Sequence, residues 1–155
     1  MIQIKLTKNN ELELSDKKSI VVLSGPVIKV NSETFDHSGE YESSGIEAIY
    51  GTGAALIVWE RLQVVYVFSA EAPTSFESSQ FSSCDVLLIG DGIAELNKTN
   101  LTTFIDAYDP RAAVVTTKTA IEATYRDSLK LQEAPIVKLA EQTLPVEGRD
   151  FYLLG

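Results

Sequence analysis

Hydrophobic and polar residues alternate along the first part of the chain, in the pattern typical of half-buried β-strands. Residues 2–6 and 12–14 alternate in this way on either side of the turn-forming pair Asn9-Asn10, which predicts a β-hairpin. A compact apolar run at 20–23 and a further alternating segment at 27–30 extend the pattern. The first half of the chain is therefore expected to be rich in β-strands.

Three more strands are predicted after a polar, acidic loop at residues 36–40. The segments 46–50, 54–59 and 62–68 are apolar and of strand length, which predicts a meander. The turns between them are short: Gly51-Thr52-Gly53 and Glu60-Arg61.

The period of the pattern changes after Cys84. Residues 85–89 form a continuous apolar run, as in a strand covered on both faces. Apolar residues from Leu96 to Tyr108 recur at helical spacing until Asp109-Pro110 ends the helix. The remaining segments predict a buried strand, a second helix with Thr117 or Thr119 as its N-cap, and two short closing strands: 112–115, 120–129, 136–139 and 151–154. A β-rich first half and a β/α second half predict an α/β (α+β) domain with sheets layered against helices.

Length and charge narrow the range of functions. The 155 residues can bury a sizeable core and contain no linker, so we assign residues 1–155 to one domain. The net charge of −9 repels phosphate backbones and anionic membranes, so we expect neither nucleic-acid nor membrane binding. The alternating first residues predict no secretory signal, and the single cysteine cannot form an internal disulfide. We therefore expect a cytoplasmic protein.

Few residue patterns in the chain indicate chemistry. His37 is the single histidine, and with Asp36, Glu40 and Glu42 it could hold a divalent ion, although four polar residues in one loop are usually just solvated. Cys84 has no basic neighbour in the sequence, so we interpret it as a structural thiol. No serine lies in a nucleophile elbow. The residues alone therefore identify no catalytic site.

Several segments, in order along the chain, resemble the metallo-β-lactamase superfamily. Ser38-Gly-Glu-Tyr-Glu42 is similar to the "PGEYE" segment of a small bacterial branch that includes ascorbate-6-phosphate lactonase-like proteins. Residues 62–69 resemble the strand that leads to the branch's "GD" motif, and residues 84–89 resemble its later "vDiLlip" strand. Residues 109–117 resemble its "P-x-x-viPmH" strand, and the tail 138–154 resembles its usual end. The resemblance implies a metallo-β-lactamase-like layered sandwich, here truncated relative to active relatives, and a metal-dependent hydrolase.

The same resemblance implies that the metal ligands of the family are missing. The family's histidine-rich loop follows an early strand, but the matching strand here runs directly into Gly25-Pro26. The bridging aspartate matches Ala70, or Glu71 after a slip of one residue, and the last histidine falls near Lys118. Without the metal there is no metal-activated water to attack a substrate. We therefore expect no cofactor, with zinc or manganese bound only if this mapping is wrong.

These absences favour a pseudoenzyme-like protein that binds an unknown protein partner or forms a homo-oligomer. Phe76 and Phe81, in the serine-rich connection 74–83, are the candidate exposed contacts, and the alternative is that they cap the core. A second possibility is a metal-dependent hydrolase or a small anionic-ligand binder with a rebuilt site. A third is one half of a hetero-complex whose active subunit supplies the metal. The candidate residues for the rebuilt site are Glu71, Asp91, Lys118 and His37.

Overall fold

The computed structural model describes residues 1–90, 92–117 and 119–155. Within these ranges, most strands belong to two large sheets. The strands of the first half are β1 (Ile2–Leu6), β2 (Leu12–Ser15), β3 (Ile20–Ser24), β4 (Val27–Val30), β5 (Glu33–Phe35), β6 (Glu40–Ser43), β7 (Ile46–Tyr50) and β8 (Ala54–Trp59). Those of the second half are β9 (Leu62–Val67), β10 (Val86–Ile89), β11 (Glu95–Leu96), β12 (Ala112–Thr116), β13 (Ala120–Ile121), β14 (Gln132–Ala134), β15 (Ile136–Leu139) and β16 (Asp150–Leu154).

The first sheet is antiparallel, with the strand order β15-β1-β2-β3-β4-β5. Its strands alternate between buried and solvent-accessible residues, because one face packs on the core. The predicted hairpin of β1 and β2 is confirmed, with Ile4 opposite Leu14. The other neighbour of β1 in this sheet is β15, which lies far away in the sequence.

The second sheet is mixed, with the strand order β14-β16-β12-β10-β9-β8-β7-β6. The strands from β6 to β9 form an antiparallel meander, which confirms the strands and turns predicted for residues 46–68. From β9 onward the neighbours are parallel. Every residue of β10 and β12 is buried, as the continuous apolar runs predicted, because this sheet is covered on both faces.

Helices cover the face of the second sheet that points away from the first. They are α1 (Ser75–Gln80), α2 (Lys98–Tyr108) and α3 (Ala123–Arg126), the last followed by a 3₁₀ turn. In α2, Leu101, Phe104 and Tyr108 face the core at helical spacing, and the helix ends at Asp109 in the left-handed conformation. The result is a three-layer sandwich with one core between the sheets and another under the helices. In the described part of the chain, no helix is long and apolar enough to cross a membrane.

The predicted helix over residues 120–129 is wrong. Its first two residues form β13, which pairs in parallel with β11, and neither proposed threonine caps a helix there. Only the four residues of α3 and the 3₁₀ turn Asp127–Leu129 are helical. Two short, polar strands, β5 and β6, were not predicted, since each is only three or four residues long and mostly exposed.

Candidate functional site

The carboxyl ends of five parallel strands meet at one edge of the second sheet. The register pairs Tyr66 of β9 with Leu88 of β10, and Val115 of β12 with Ile89 and Leu153. Residues that bind ligands in α/β proteins commonly follow the carboxyl ends of such strands. The two sheets also approach each other in this region, which we call the strand-end edge. It comprises six residues: Gly25, Pro26, Tyr50, Tyr66, Phe68 and Thr116.

Tyr66 closes the strand-end edge between the two sheets. Its side chain is 1% exposed, and its hydroxyl donates a 2.7 Å hydrogen bond to the carbonyl of Gly25, the residue that follows β3 in the other sheet. Gly90 leaves room for the tyrosine ring, because a Cβ there would lie 2.7 Å from Cε1 of Tyr66. The ends of β3 and β9, which the family resemblance assigns to metal ligands, are thus joined by a tyrosine.

Tyr50 forms a second closure beside the first. Its hydroxyl donates to the carbonyl oxygens of Pro26 and Phe35, each at 2.8 Å, so a single proton is shared between two acceptors. Burial raises the pKa of Tyr50 to about 12, so the phenol stays a neutral donor near neutral pH. Phe68 packs beside both tyrosines, with ring centroids 6.2 Å from Tyr50 and 5.7 Å from Tyr66.

One cavity at the strand-end edge has about the volume of a single water molecule. A cavity of about 10 Å³ lies between the sheets, lined by Asn10, Leu12, Leu23, Tyr66 and Thr116. A cavity of this volume is close to the minimum that can hold a single water. This cavity therefore has no room for a substrate. A second cavity, of about 160 Å³, lies beside the loop after β9 and is lined by Ala70, Ala72, Thr99, Asn100, Thr103 and Phe104.

The described side chains at this edge do not fit a zinc or manganese ion. A catalytic zinc has three protein ligands drawn from His, Cys, Asp and Glu, and manganese prefers carboxylates. In residues 1–90, 92–117 and 119–155, no three such side chains lie close enough together to hold a metal ion. The edge instead presents phenol hydroxyls and the backbone carbonyls that accept from them.

A buried carboxylate, Glu77, lies next to the turn between β7 and β8. Its side chain is 1% exposed, and it accepts hydrogen bonds from the backbone N–H groups of Thr74 at 2.8 Å and Gly53 at 2.9 Å. Gly51 is required there, since a Cβ would lie 2.5 Å from the Glu77 carboxylate. Sequence analysis missed this contact, although Thr74 and Glu77 have the spacing of a capping box. Glu77 therefore joins α1 to the turn and has both oxygens occupied.

Comparisons with known proteins agree with this architecture. No protein-family model matches the chain, and no curated protein matches it. Among solved structures, a proposed Zn-dependent hydrolase of the metallo-β-lactamase superfamily from Thermotoga maritima superimposes with a TM-score of 0.67. The chain has the metallo-β-lactamase fold. The two proteins are 13% identical and correspond over 99% of each chain, so the expected truncation is not seen against this neighbour. At this identity, the likeness shows the fold alone.

Two residues of the predicted rebuilt site lie in exposed loops of the metallo-β-lactamase fold. The side chain of His37 is 83% exposed and pairs with its neighbour Asp36. Glu71 is exposed in the loop after β9, where its N–H donates to Oγ of Ser69 at 3.3 Å. The other two residues, Asp91 and Lys118, lie outside the described residues. The rebuilt site stays a prediction.

The two candidate contact residues have different environments. Phe81 is fully buried under the helices, where it belongs to the core. Phe76, on α1, is 49% exposed and meets Phe81 edge-to-face at 5.7 Å. Phe81 is thus unavailable to a partner, because its ring fills the space between the helices and the sheet, and only Phe76 remains as an exposed contact.

Cys84 and Asp85 lie at the opposite end of β10 from the strand-end edge. Burial, with a smaller effect of Asp85, raises the pKa of the Cys84 thiol to about 12, which fits a structural role. Asp85 accepts from the N–H of Gln63 at 2.8 Å and pairs with Arg111 at 3.2 Å. These contacts fix the amino ends of β9, β10 and β12 relative to one another.

Proposed function

We propose that the chain is a non-catalytic protein of the metallo-β-lactamase superfamily that acts by binding another protein or by self-association. The observation that carries this proposal is the closed strand-end edge. Tyr66 and Tyr50 donate their hydroxyl protons to the carbonyls of Gly25 and Pro26, at the place where the resemblance puts the metal. The cavity between the sheets beside Tyr66, of about 10 Å³, holds one water at most.

A physical argument connects this closure to the loss of hydrolysis. A metal-dependent hydrolase lowers the pKa of a bound water to about 7 and needs open space for the substrate beside it. Here the equivalent space is filled by aromatic rings that belong to the core between the sheets. The likeness to the ascorbate-6-phosphate lactonase-like branch and a cytoplasmic location remain predictions under this proposal.

The metal content of the purified protein tests the proposal directly. We expect less than one equivalent of metal by mass spectrometry, and no rise in melting temperature when zinc, manganese or iron is added, because ligand binding to the native state would raise it. One ion per chain together with a clear rise in melting temperature would restore the hydrolase with a rebuilt site as the leading function.

Self-association is tested separately at Phe76. We expect the Phe76→Ala variant to lower the average mass measured by light scattering if α1 mediates contact between copies. Val146→Ala is the matched control, since Val146 is 96% exposed and also apolar. If the wild-type protein is monomeric, the proposed function is binding to a different protein. Co-purification from the native source would then identify that partner.

A further inference from the structure

The outer strand β6 has an open edge whose backbone groups can be assigned from its register. A two-residue loop, Ser44-Gly45, connects β6 to β7, and both residues have positive φ. Such a loop makes the flanking residues, Ser43 and Ile46, a hydrogen-bonded pair. Bonded and non-bonded pairs alternate along antiparallel strands, so Glu40 and Glu42 fall in the non-bonded pairs.

The backbone N–H and C=O groups of Glu40 and Glu42 therefore point away from β7. The alternation is supported at the other end of the hairpin, where the N–H of Tyr50 donates to the carbonyl of Gly39 at 3.0 Å. β6 is also the last strand of its sheet, so these four groups face outward. An edge of this kind can pair with a further strand.

The side chains along this edge are acidic. Glu42 lies directly opposite Glu47 in the register, which places two negative charges side by side on one face of the sheet. A groove of about 320 Å³ follows them, lined by Glu40, Tyr41, Glu42, Glu47 and Ile49. We call this region, the backbone of β6 together with the groove, the β6 edge.

We propose that the β6 edge binds an extended, lysine- or arginine-rich segment of a protein partner as an added β-strand. This inference rests on the proposed function, and it specifies the binding surface and the class of partner. The outward backbone groups of Glu40 and Glu42 pair with the added strand, and every second side chain of that strand lies beside the carboxylates. A basic side chain at those positions relieves the repulsion between Glu42 and Glu47.

A second copy of the chain is a poorer occupant. Pairing one β6 with another would place Glu40 and Glu42 of both copies side by side on the same face, and like charges next to each other on a sheet destabilise the pairing. The charges thus direct the edge away from self-pairing and toward a segment of opposite sign.

The probe is a short, acetylated peptide in which lysine alternates with valine. We expect saturable binding, measured by NMR titration, and slower amide exchange at Glu40 and Glu42 in the complex. The double variant Glu40→Lys/Glu42→Lys should weaken binding by about tenfold or more, because it reverses the charge that the lysines meet. The control Glu141→Lys/Glu147→Lys makes the same change in net charge at exposed positions elsewhere and should weaken binding by about twofold or less.

Two further peptides separate strand addition from simple charge attraction. In one peptide, the backbone nitrogens that would face β6 are methylated. This peptide keeps its charge but cannot donate backbone hydrogen bonds to β6, so it should not slow amide exchange at Glu40 and Glu42. A glutamate-valine peptide should not bind. Absence of binding by the lysine peptide, or equal binding by the methylated peptide, would overturn the inference. A wild-type dimer with already protected Glu40 and Glu42 amides would also overturn it, in favour of a second copy. The metal content of the protein does not depend on the outcome of these peptide experiments. The proposed function is therefore tested independently of this inference.

Discussion

The strand-end edge and the β6 edge differ in how their polar groups are satisfied, although a row of aromatic rings connects them. Tyr41 of β6 stacks on Phe35 at 4.6 Å and meets Tyr50 edge-to-face at 6.1 Å. At the strand-end edge, hydroxyls and carbonyls of the two sheets bond one another and leave a cavity of about 10 Å³. At the β6 edge, backbone groups face outward and two carboxylates lie opposite each other.

This difference indicates which of the two regions can gain free energy by binding a partner. Groups that are already paired inside the protein gain little from a ligand, since new hydrogen bonds would replace existing ones. Unpaired backbone groups and like charges gain from a partner of suitable shape and sign. Under the two proposals, the strand-end edge is inert and the β6 edge is the surface open to interaction.

The largest effect is expected from opening the strand-end edge. Tyr66→Ala removes a fully buried aromatic side chain and should lower the free energy of unfolding by about 3–5 kcal/mol, as large-to-small substitutions of aromatic core residues do. Urea denaturation followed by circular dichroism measures it. Tyr66→Phe keeps the ring but leaves the Gly25 carbonyl without this donor, at a cost of about 1–3 kcal/mol. A change below about 1 kcal/mol for Tyr66→Ala would contradict the closure.

The next effect concerns the turn beside the strand-end edge. Gly51→Ala forces a Cβ to within 2.5 Å of the Glu77 carboxylate and should destabilise by about 1–3 kcal/mol, as overpacking does. The double variant Gly51→Ala/Glu77→Ala should be less destabilised than the sum of the single variants, because truncation of Glu77 removes the clash. Strict additivity of the two changes in urea denaturation would argue against direct contact.

A smaller, pH-dependent effect is expected at Tyr50. Its pKa rises from 10.0 to about 12 on folding because of burial, so its contribution is fully present below pH 10 and is lost as the pH rises through about 12. Tyr50→Phe cannot ionise and should have a flatter stability profile between pH 10 and 12, even though it loses the bonds to Pro26 and Phe35. Identical alkaline profiles for the two proteins would mean that Tyr50 titrates normally.

The smallest effect is expected at the β6 edge. Glu42→Gln removes the repulsion with Glu47 and keeps an amide oxygen that can accept from the N–H of Gly45, as the Glu42 carboxylate does at 2.9 Å. The variant should stabilise the protein by about 0.2–1 kcal/mol at low salt, with the gain decreasing as salt screens the charges. Thermal unfolding at two salt concentrations measures it. Glu40→Gln is the control, because Glu40 lies opposite the uncharged Ile49. A loss of stability in Glu42→Gln would show that the charged acceptor for the Gly45 N–H outweighs the repulsion with Glu47.

Much of the fold could be predicted from the chain, because alternation and continuous burial leave a direct trace in the sequence. The hairpin of β1 and β2 and the buried strands β10 and β12 have such traces. The segment 120–129 misled the prediction, since its apolar spacing suits a helix while Ala120 pairs with Glu95 of another strand. Tertiary pairing here overrides local propensity.

The strand-end edge could be located but not described from the sequence. The resemblance indicated that metal ligands were missing after β3 and β9, but it gave no reason to expect that Tyr66 reaches the carbonyl of Gly25, 41 positions away in the sequence. A tyrosine in an apolar strand has the same pattern whether its hydroxyl meets solvent or a distant carbonyl. Contacts of this kind depend on how two sheets stack, which periodicity does not encode.

The position of β15 and β16 has a consequence for how the protein is made. β15 pairs with β1 in the first sheet, and β16 lies between β12 and β14 in the second, so both sheets depend on residues 136–154. During synthesis, β1 leaves the ribosome long before its partner exists, and such distant pairings form slowly. A nascent chain arrested before residue 136 should remain protease-sensitive in both sheets, and completion of the last strands should protect them together.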